Sequence, residues 1–261
     1  MNKKPTQHSP SPDRGRGPGG EGERGKGGEG VRARSTAAEV THERALAVLA
    51  LLKRAYPGAT CALDSRSAFE LLAATILSAQ CTDIRVNLVT PALFTRYTTP
   101  SALAAARKGE VEEIIRSTGF FRNKAKNLIA MAQALVVEHG GEVPDTMEAL
   151  HHLPGVGRKT ANVVLGNWFK INAGVTVDTH VIRLTRLLKL TRHTDAVKIE
   201  RDLMALIPQK EWTLVSHLLI THGRAVCIAN RPKCGECVLA EICPSSDVRS
   251  PGSEVRGAGA K

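Results

Sequence analysis

The chain is poor in aromatic side chains, with five Phe, two Trp and two Tyr among 261 residues. So sparse a supply argues against the row of stacking rings on which proteins hold single-stranded nucleic acid. No apolar run approaches the about 18 residues that a membrane-spanning helix needs. The basic N-terminus lacks the apolar stretch of a secretory signal. Neither a membrane partner nor export is therefore expected, and cytoplasmic residence with reduced thiols follows. Acidic groups are also under-represented: 25 Asp and Glu stand against 36 Lys and Arg, a formal charge of +11. The first 34 residues hold eight basic and four acidic groups, which leaves about +7 for the remainder. Such an excess favours a polyanionic partner, because neutralising phosphates releases condensed counterions. Residues 1–36 are rich in Gly, Pro, Ser, Arg and Glu and nearly devoid of apolar side chains. They cannot bury enough surface to offset the entropy of ordering, so a disordered Gly/Arg-rich tail is expected there, and a second over 246–261.

From Thr41 onward the apolar spacing is helical almost throughout. Leu46, Leu49 and Leu52 mark a first helix halted at Pro57-Gly58, and Ser67-Ala68-Phe69-Glu70 reads as a capping box opening an apolar helix to about Ala79. Thr82 can cap the next helix, which Pro91 is expected to interrupt, and Thr99-Pro100 starts another. Gly119 and Gly140-Gly141 read as stops, and Asp145 or Thr146 as the cap of a short helix ending at His151-His152. Further helices are expected from Arg158 to about Trp168 and near 179–189, 195–206 and 211–222. With no convincing strand, the fold class is all-α.

Between two of these helices the chain reads Leu153-Pro154-Gly155-Val156-Gly157-Arg158-Lys159-Thr160. Gly155 and Gly157 can adopt φ values closed to other residues, so the backbone can turn sharply and present bare N–H groups at a helix N-terminus, where a phosphate docks. A plain glycine corner between packed helices has the same composition. Arg158 adds a cation where a backbone phosphate would lie. Lys159 suits a phosphate contact equally, but the positive end of the helix dipole and Arg158 both disfavour an ammonium there, and a free amine is a nucleophile. Asp178, in Val177-Asp178-Thr179-His180, is a good N-cap; one carboxylate oxygen can cap while the other faces a site, accepting a proton from Lys159 or stabilising positive charge on a sugar.

Cys227, Cys234, Cys237 and Cys243 are spaced C-x6-C-x2-C-x5-C. Four thiolates so close together in a reducing compartment indicate a metal site, and the ligand set alone allows tetrahedral Zn2+ or a [4Fe-4S] cluster. Arg231 and Lys233 lie between the first two cysteines, so a metal site would brace a basic loop for phosphate contact. Cys61 and Cys81 fit no spacing rule and read as ordinary buried residues. Two other loops are notable. Gln80 sits at a helix junction in Ser78-Ala79-Gln80-Cys81, and Phe120 and Phe121 precede a basic helix start with Arg122 and Lys124. An enzyme that extrudes a base must fill the gap it leaves, which Gln80 and Phe120 are suited to do; loop packing explains each equally well.

Taken together, Leu77 through Asp83, Leu153 through Val164, Val177-Asp178-Thr179-His180, and the four cysteines with Arg224 and Pro232 resemble the endonuclease III family of DNA glycosylases, within the helix-hairpin-helix glycosylases. The likeness spans about residues 40–245. It implies a six-helix barrel domain over 61–171 and a second helical domain, from 37–60 and 172–245, holding a [4Fe-4S] cluster on the four cysteines, with a DNA-binding cleft between. It implies a monomer acting on duplex DNA, removing oxidised pyrimidines such as thymine glycol and cleaving at the abasic site. The family's hairpin lysine, which attacks C1′, and its assisting aspartate map onto Lys159 and Asp178, and Gln80 matches the residue that enters the duplex. Phe120 occupies a wedge position usually held by an aliphatic residue, and His151-His152 stands where an acidic residue is often found. The adenine glycosylase branch resembles this architecture but lacks the hairpin lysine. From another class, a non-catalytic DNA-binding module with zinc on the cysteines would form no covalent adduct with abasic DNA.

Overall fold

A computed structural model describes residues 37–246. The expected tail over 1–36, and all but the first residue of that over 246–261, lie outside the described residues. Among the described residues every regular element is helical. Eleven α-helices follow in order: α1 (Ala37–Ala55), α2 (Ala68–Leu77), α3 (Asp83–Arg96), α4 (Pro100–Ala104), α5 (Lys108–Ile115), α6 (Phe121–His139), α7 (Met147–His152), α8 (Arg158–Val164), α9 (Thr179–Leu187), α10 (Ala196–Leu206) and α11 (Trp212–Ala225). A π-helical turn, Leu165–Phe169, extends α8.

The side chains of these helices gather into two apolar cores. One runs from Phe69 to Leu165 and takes residues from α2 through α8 and the π turn. α2 is its axis: eight of its ten residues are buried, as expected of a helix hydrophobic on all sides. The second core joins Ala45, Val48, Leu49 and Leu52 of α1 to residues from Val175 to Leu239. α1 packs on α10 and α11 rather than on the helices next in sequence, so the chain leaves the second core after α1 and returns to it after the π turn. Between the cores the helices touch closely. A Cβ at Gly166 would overlap the Thr213 side chain, and Asn172 Oδ1 accepts from the Thr213 N–H at 3.0 Å at the start of α11.

Local signals explain several helix starts. Ser67, Thr82, Thr99 and Thr146 each accept a hydrogen bond from an N–H three residues on, satisfying one orphan donor of the first turn. The capping box at Ser67 differs in its second arm, because Glu70 Oε2 accepts from the Arg66 N–H at 2.7 Å, one residue earlier than expected. Pro91 does not interrupt its helix: α3 runs through it to Arg96. The ring lies on the exposed face, where the carbonyl deprived of its N–H partner can turn to water.

Candidate active site between the two cores

The hairpin from Leu153 to Gly157 uses its glycines differently. Gly155 has φ +78°, and a Cβ there would lie 2.8 Å from Asn127 Cβ on α6, so both backbone conformation and contact require glycine. Gly157 is extended at φ −93°, a conformation open to any residue, and a Cβ would meet nothing within 4 Å. The expectation of a special φ is therefore wrong for Gly157. It is the N-cap of α8 without a side-chain cap, and leaves the N–H groups of the first turn uncovered.

Lys159 projects from that first turn and is exposed. Asp178 belongs to the other core: it is the N-cap of α9, and its Oδ1 accepts from the Val181 N–H at 2.9 Å. Lys159 and Asp178 line one cavity of about 120 Å³ with Ser78, Asp83 and Arg224, and the same five residues continue into an open cleft bounded by Gln80. Arg224 of α11 bonds Asp83 at the start of α3 at 2.7 Å, an ion pair that ties the cores together at the cleft wall. Beside Asp178, burial pushes the His180 imidazole below its ordinary range, the Asp178 charge pulls it up, and Arg183 and Arg224 push it further down.

Arg158 departs from expectation. Its Nε donates to Glu200 Oε2 at 2.6 Å, and the other oxygen of this buried carboxylate accepts from Asn162 at 2.8 Å. The guanidinium is thus a compensated charge, which removes much of its expected repulsion of Lys159. Glu200 escaped the sequence reading although it signals itself: it stands beside Ile199 and before Leu203 on the buried face of α10, where a carboxylate needs a partner.

Gln80 and Phe120 are both exposed and both left-handed, at φ 53° and 47°. Residues without a glycine's freedom hold this conformation only where the surroundings impose it. Beside Phe120, Lys124 of the basic helix start is only 5% exposed, and its Nζ donates to the Thr118 carbonyl at 2.7 Å. Burial pushes that amine below its ordinary range. The two phenylalanines divide their roles: Phe120 is 63% exposed, whereas Phe121 packs against the first core with Arg116 and Arg122 over its ring.

The four spaced cysteines line a second, mainly apolar cavity with Leu184, Leu239 and His222. Among the described residues no three His, Cys, Asp or Glu form a group suited to a single metal ion; the thiols are arranged around a shared space. Burial pushes the Cys227 and Cys237 thiols up, opposed at Cys227 by the Arg183 guanidinium and at Cys237 by the Leu239 N–H, which donates to Sγ at 3.4 Å. Arg231 and Lys233 are exposed on the loop between cysteines; Lys233 lies 3.7 Å from Glu236, and Arg231 has no bonded partner among the described residues. Cys61 and Cys81 are half-buried against the first core, not wholly buried as expected.

Comparison with known proteins agrees with this geometry. Residues 73–209 match the HhH-GPD superfamily base excision DNA repair protein family. The chain is 60% identical to endonuclease III of Synechocystis sp. over 78% of its length and 93% of that protein, and 38% identical to endonuclease III of Escherichia coli over 76% and 93%. The structure of a trapped endonuclease III–DNA covalent intermediate superposes with a TM-score of 0.76 at 41% identity, covering 80% of this chain and 98% of that one. A thermostable thymine-DNA glycosylase at 19% identity and TM-score 0.72 shares the fold. With its glycine hairpin, its cleft between two helical cores and these likenesses, the chain belongs to the endonuclease III family of the HhH-GPD superfamily.

Proposed function

We propose that this base excision repair DNA glycosylase and abasic-site lyase removes oxidised pyrimidines of the thymine glycol type from duplex DNA through a Schiff base on Lys159. The observation that carries the reading is the meeting of Lys159 and Asp178, from different cores, in one cleft with Gln80 at its rim. The Lys159 amine attacks C1′, the glycosidic C–N bond breaks, and the base leaves with a proton. Opening of the sugar gives an iminium, which draws electrons from C2′; loss of a C2′ proton expels the 3′ phosphate, and water releases the amine. Asp178 Oδ1 holds the cap, and the second oxygen takes the proton from Lys159 and faces the positive charge on the sugar.

The HhH turn at Gly155 and Gly157 and the outer face of Arg158 hold backbone phosphate, joined by Arg231 and Lys233 from the cysteine loop. Gln80 and Phe120, preset in left-handed backbone, enter the duplex where the base leaves. The two cores are read as the two domains, and the enzyme acts as a cytoplasmic monomer.

Cys227, Cys234, Cys237 and Cys243 are assigned to a [4Fe-4S] cluster. The donor set fits: burial opposes ionisation of the half-buried Cys227 and Cys237 thiols unless a cationic centre compensates them, and all four cysteines line one cavity, which suits a cluster of several atoms. When bound, the cluster supplies a rigid staple for the loop carrying Arg231 and Lys233.

Borohydride trapping on DNA containing thymine glycol or an abasic site tests the reading. Wild type and Asp178→Asn are compared with Lys159→Ala, which is expected to give no adduct; absence of a trapped species from wild type refutes the lyase step. Colourless protein with stoichiometric zinc, purified anaerobically, refutes the cluster.

A further inference from the structure

His222 takes no part in the chemistry described above, yet it is 1% exposed in the last turn of α11 and bonded at both ring nitrogens. Nδ1 lies 2.8 Å from the Tyr56 hydroxyl, and Nε2 lies 3.4 Å from Cys237 Sγ. Tyr56 directly follows α1, and its ring stands edge-on to the imidazole with centroids 5.8 Å apart. We propose that Tyr56 and His222 form a relay that donates one hydrogen bond to the Cys237 sulfur and thereby raises the reduction potential of the cluster.

Hydrogen-bond inventory fixes the direction of the relay. A cysteine sulfur bound to iron carries no proton and can only accept, so Nε2 must carry the ring hydrogen. The neutral imidazole then offers Nδ1 as an acceptor, and the Tyr56 hydroxyl donates to it. Tyr56 thus selects the tautomer and fixes the ring plane, the part an outer partner plays for a ligand. A donor aimed at a ligand sulfur stabilises the extra negative charge of the reduced cluster more than that of the oxidised one, and hydrogen bonds to sulfur are among the factors that set such potentials. The Leu239 N–H also donates to Cys237 Sγ at 3.4 Å, so this ligand accepts from both backbone and side chain.

The inference rests on the cluster assignment, and the experiment separates the two. Full-length wild type, Tyr56→Phe, His222→Phe and His222→Gln are purified anaerobically, analysed for iron, sulfide and zinc, and measured by protein-film voltammetry and by resonance Raman of the Fe–S(Cys) stretches. His222→Phe is expected to lower the potential and shift the Fe–S(Cys) band to higher frequency. Tyr56→Phe should move both in the same direction by less, and His222→Gln, which keeps an N–H, should recover part of the change. Unchanged potential and band in His222→Phe with iron and sulfide intact overturn the proposal. If that variant fails to keep its iron, Tyr56→Phe decides by the same criteria. Zinc without sulfide in wild type overturns the cluster assignment and the relay with it.

Discussion

Asp178→Asn and Asp178→Ala are expected to part in stability and agree in activity. Oδ1 of Asp178 caps α9 through the Val181 N–H at 2.9 Å. Asparagine presents a carbonyl oxygen in the same place and caps as well as aspartate, losing only the attraction between a charge and the helix dipole, about 0.3–1 kcal/mol. Alanine loses the bond itself, about 0.5–2 kcal/mol. For a domain of roughly 150–250 residues each kcal/mol moves Tm by about 2–4 °C, so the alanine variant should melt about 1–8 °C below wild type and the asparagine variant about 1–4 °C below. Both remove the charge that faces the developing cation in the cleft, and single-turnover cleavage of abasic DNA should fall by about 10²–10³-fold in each. Thermal melts beside single-turnover kinetics at a temperature where all three proteins are folded measure both effects. Wild-type turnover by Asp178→Asn would refute the electrostatic role. Activity falling only as stability falls, with asparagine close to wild type, would reduce Asp178 to a cap.

Other consequences can be checked independently. Glu200→Ala leaves Asn162 and Arg158 without their acceptor, and should cost about 1–3 kcal/mol in urea unfolding, toward the lower end because Arg158 is 42% exposed and can turn to water. Arg231→Ala should lower the slope of log binding constant against log salt by about 0.9, and Lys233→Ala by less because Glu236 already lies 3.7 Å from it; an unchanged slope for Arg231→Ala would exclude a phosphate contact. Burial, aided by Lys170, holds His217 below its ordinary value of 6.5, with Nε2 bonded to Asn167 Oδ1 at 2.7 Å. Its contribution is complete above the unfolded value and is lost as pH falls through the depressed folded one, since the unfolded state binds the proton first. His217→Gln should therefore flatten the decline of stability below about pH 6.5, read as Tm against pH.

Much of the site is local in origin and legible in the residues alone. The helix starts at Ser67, Thr82, Thr99 and Thr146, the turn at Gly155, the cap at Asp178 and the cysteine spacing depend on neighbours within a few positions, and each stands where the pattern places it. The failures are local signals overruled by their surroundings. Pro91 is carried within α3 because its ring faces solvent, and Gly157 is extended because no contact bends it. Which residues pair across the chain left no such trace: Arg158 with Glu200, Asp83 with Arg224, Tyr56 with His222 and His222 with Cys237.

By itself, then, the sequence determined the all-helical class, the turn at Gly155 and the cap at Asp178, because hydrogen bonding and steric limits within one or two turns decide those. Tertiary structure alone decided that Lys159 and Asp178 share a cleft, that Arg158 is neutralised while Lys124 is buried, and that an imidazole on α11 reaches a cysteine sulfur. Those outcomes depend on two cores closing against each other, and the free energy of that packing is spread over side chains far apart in the chain.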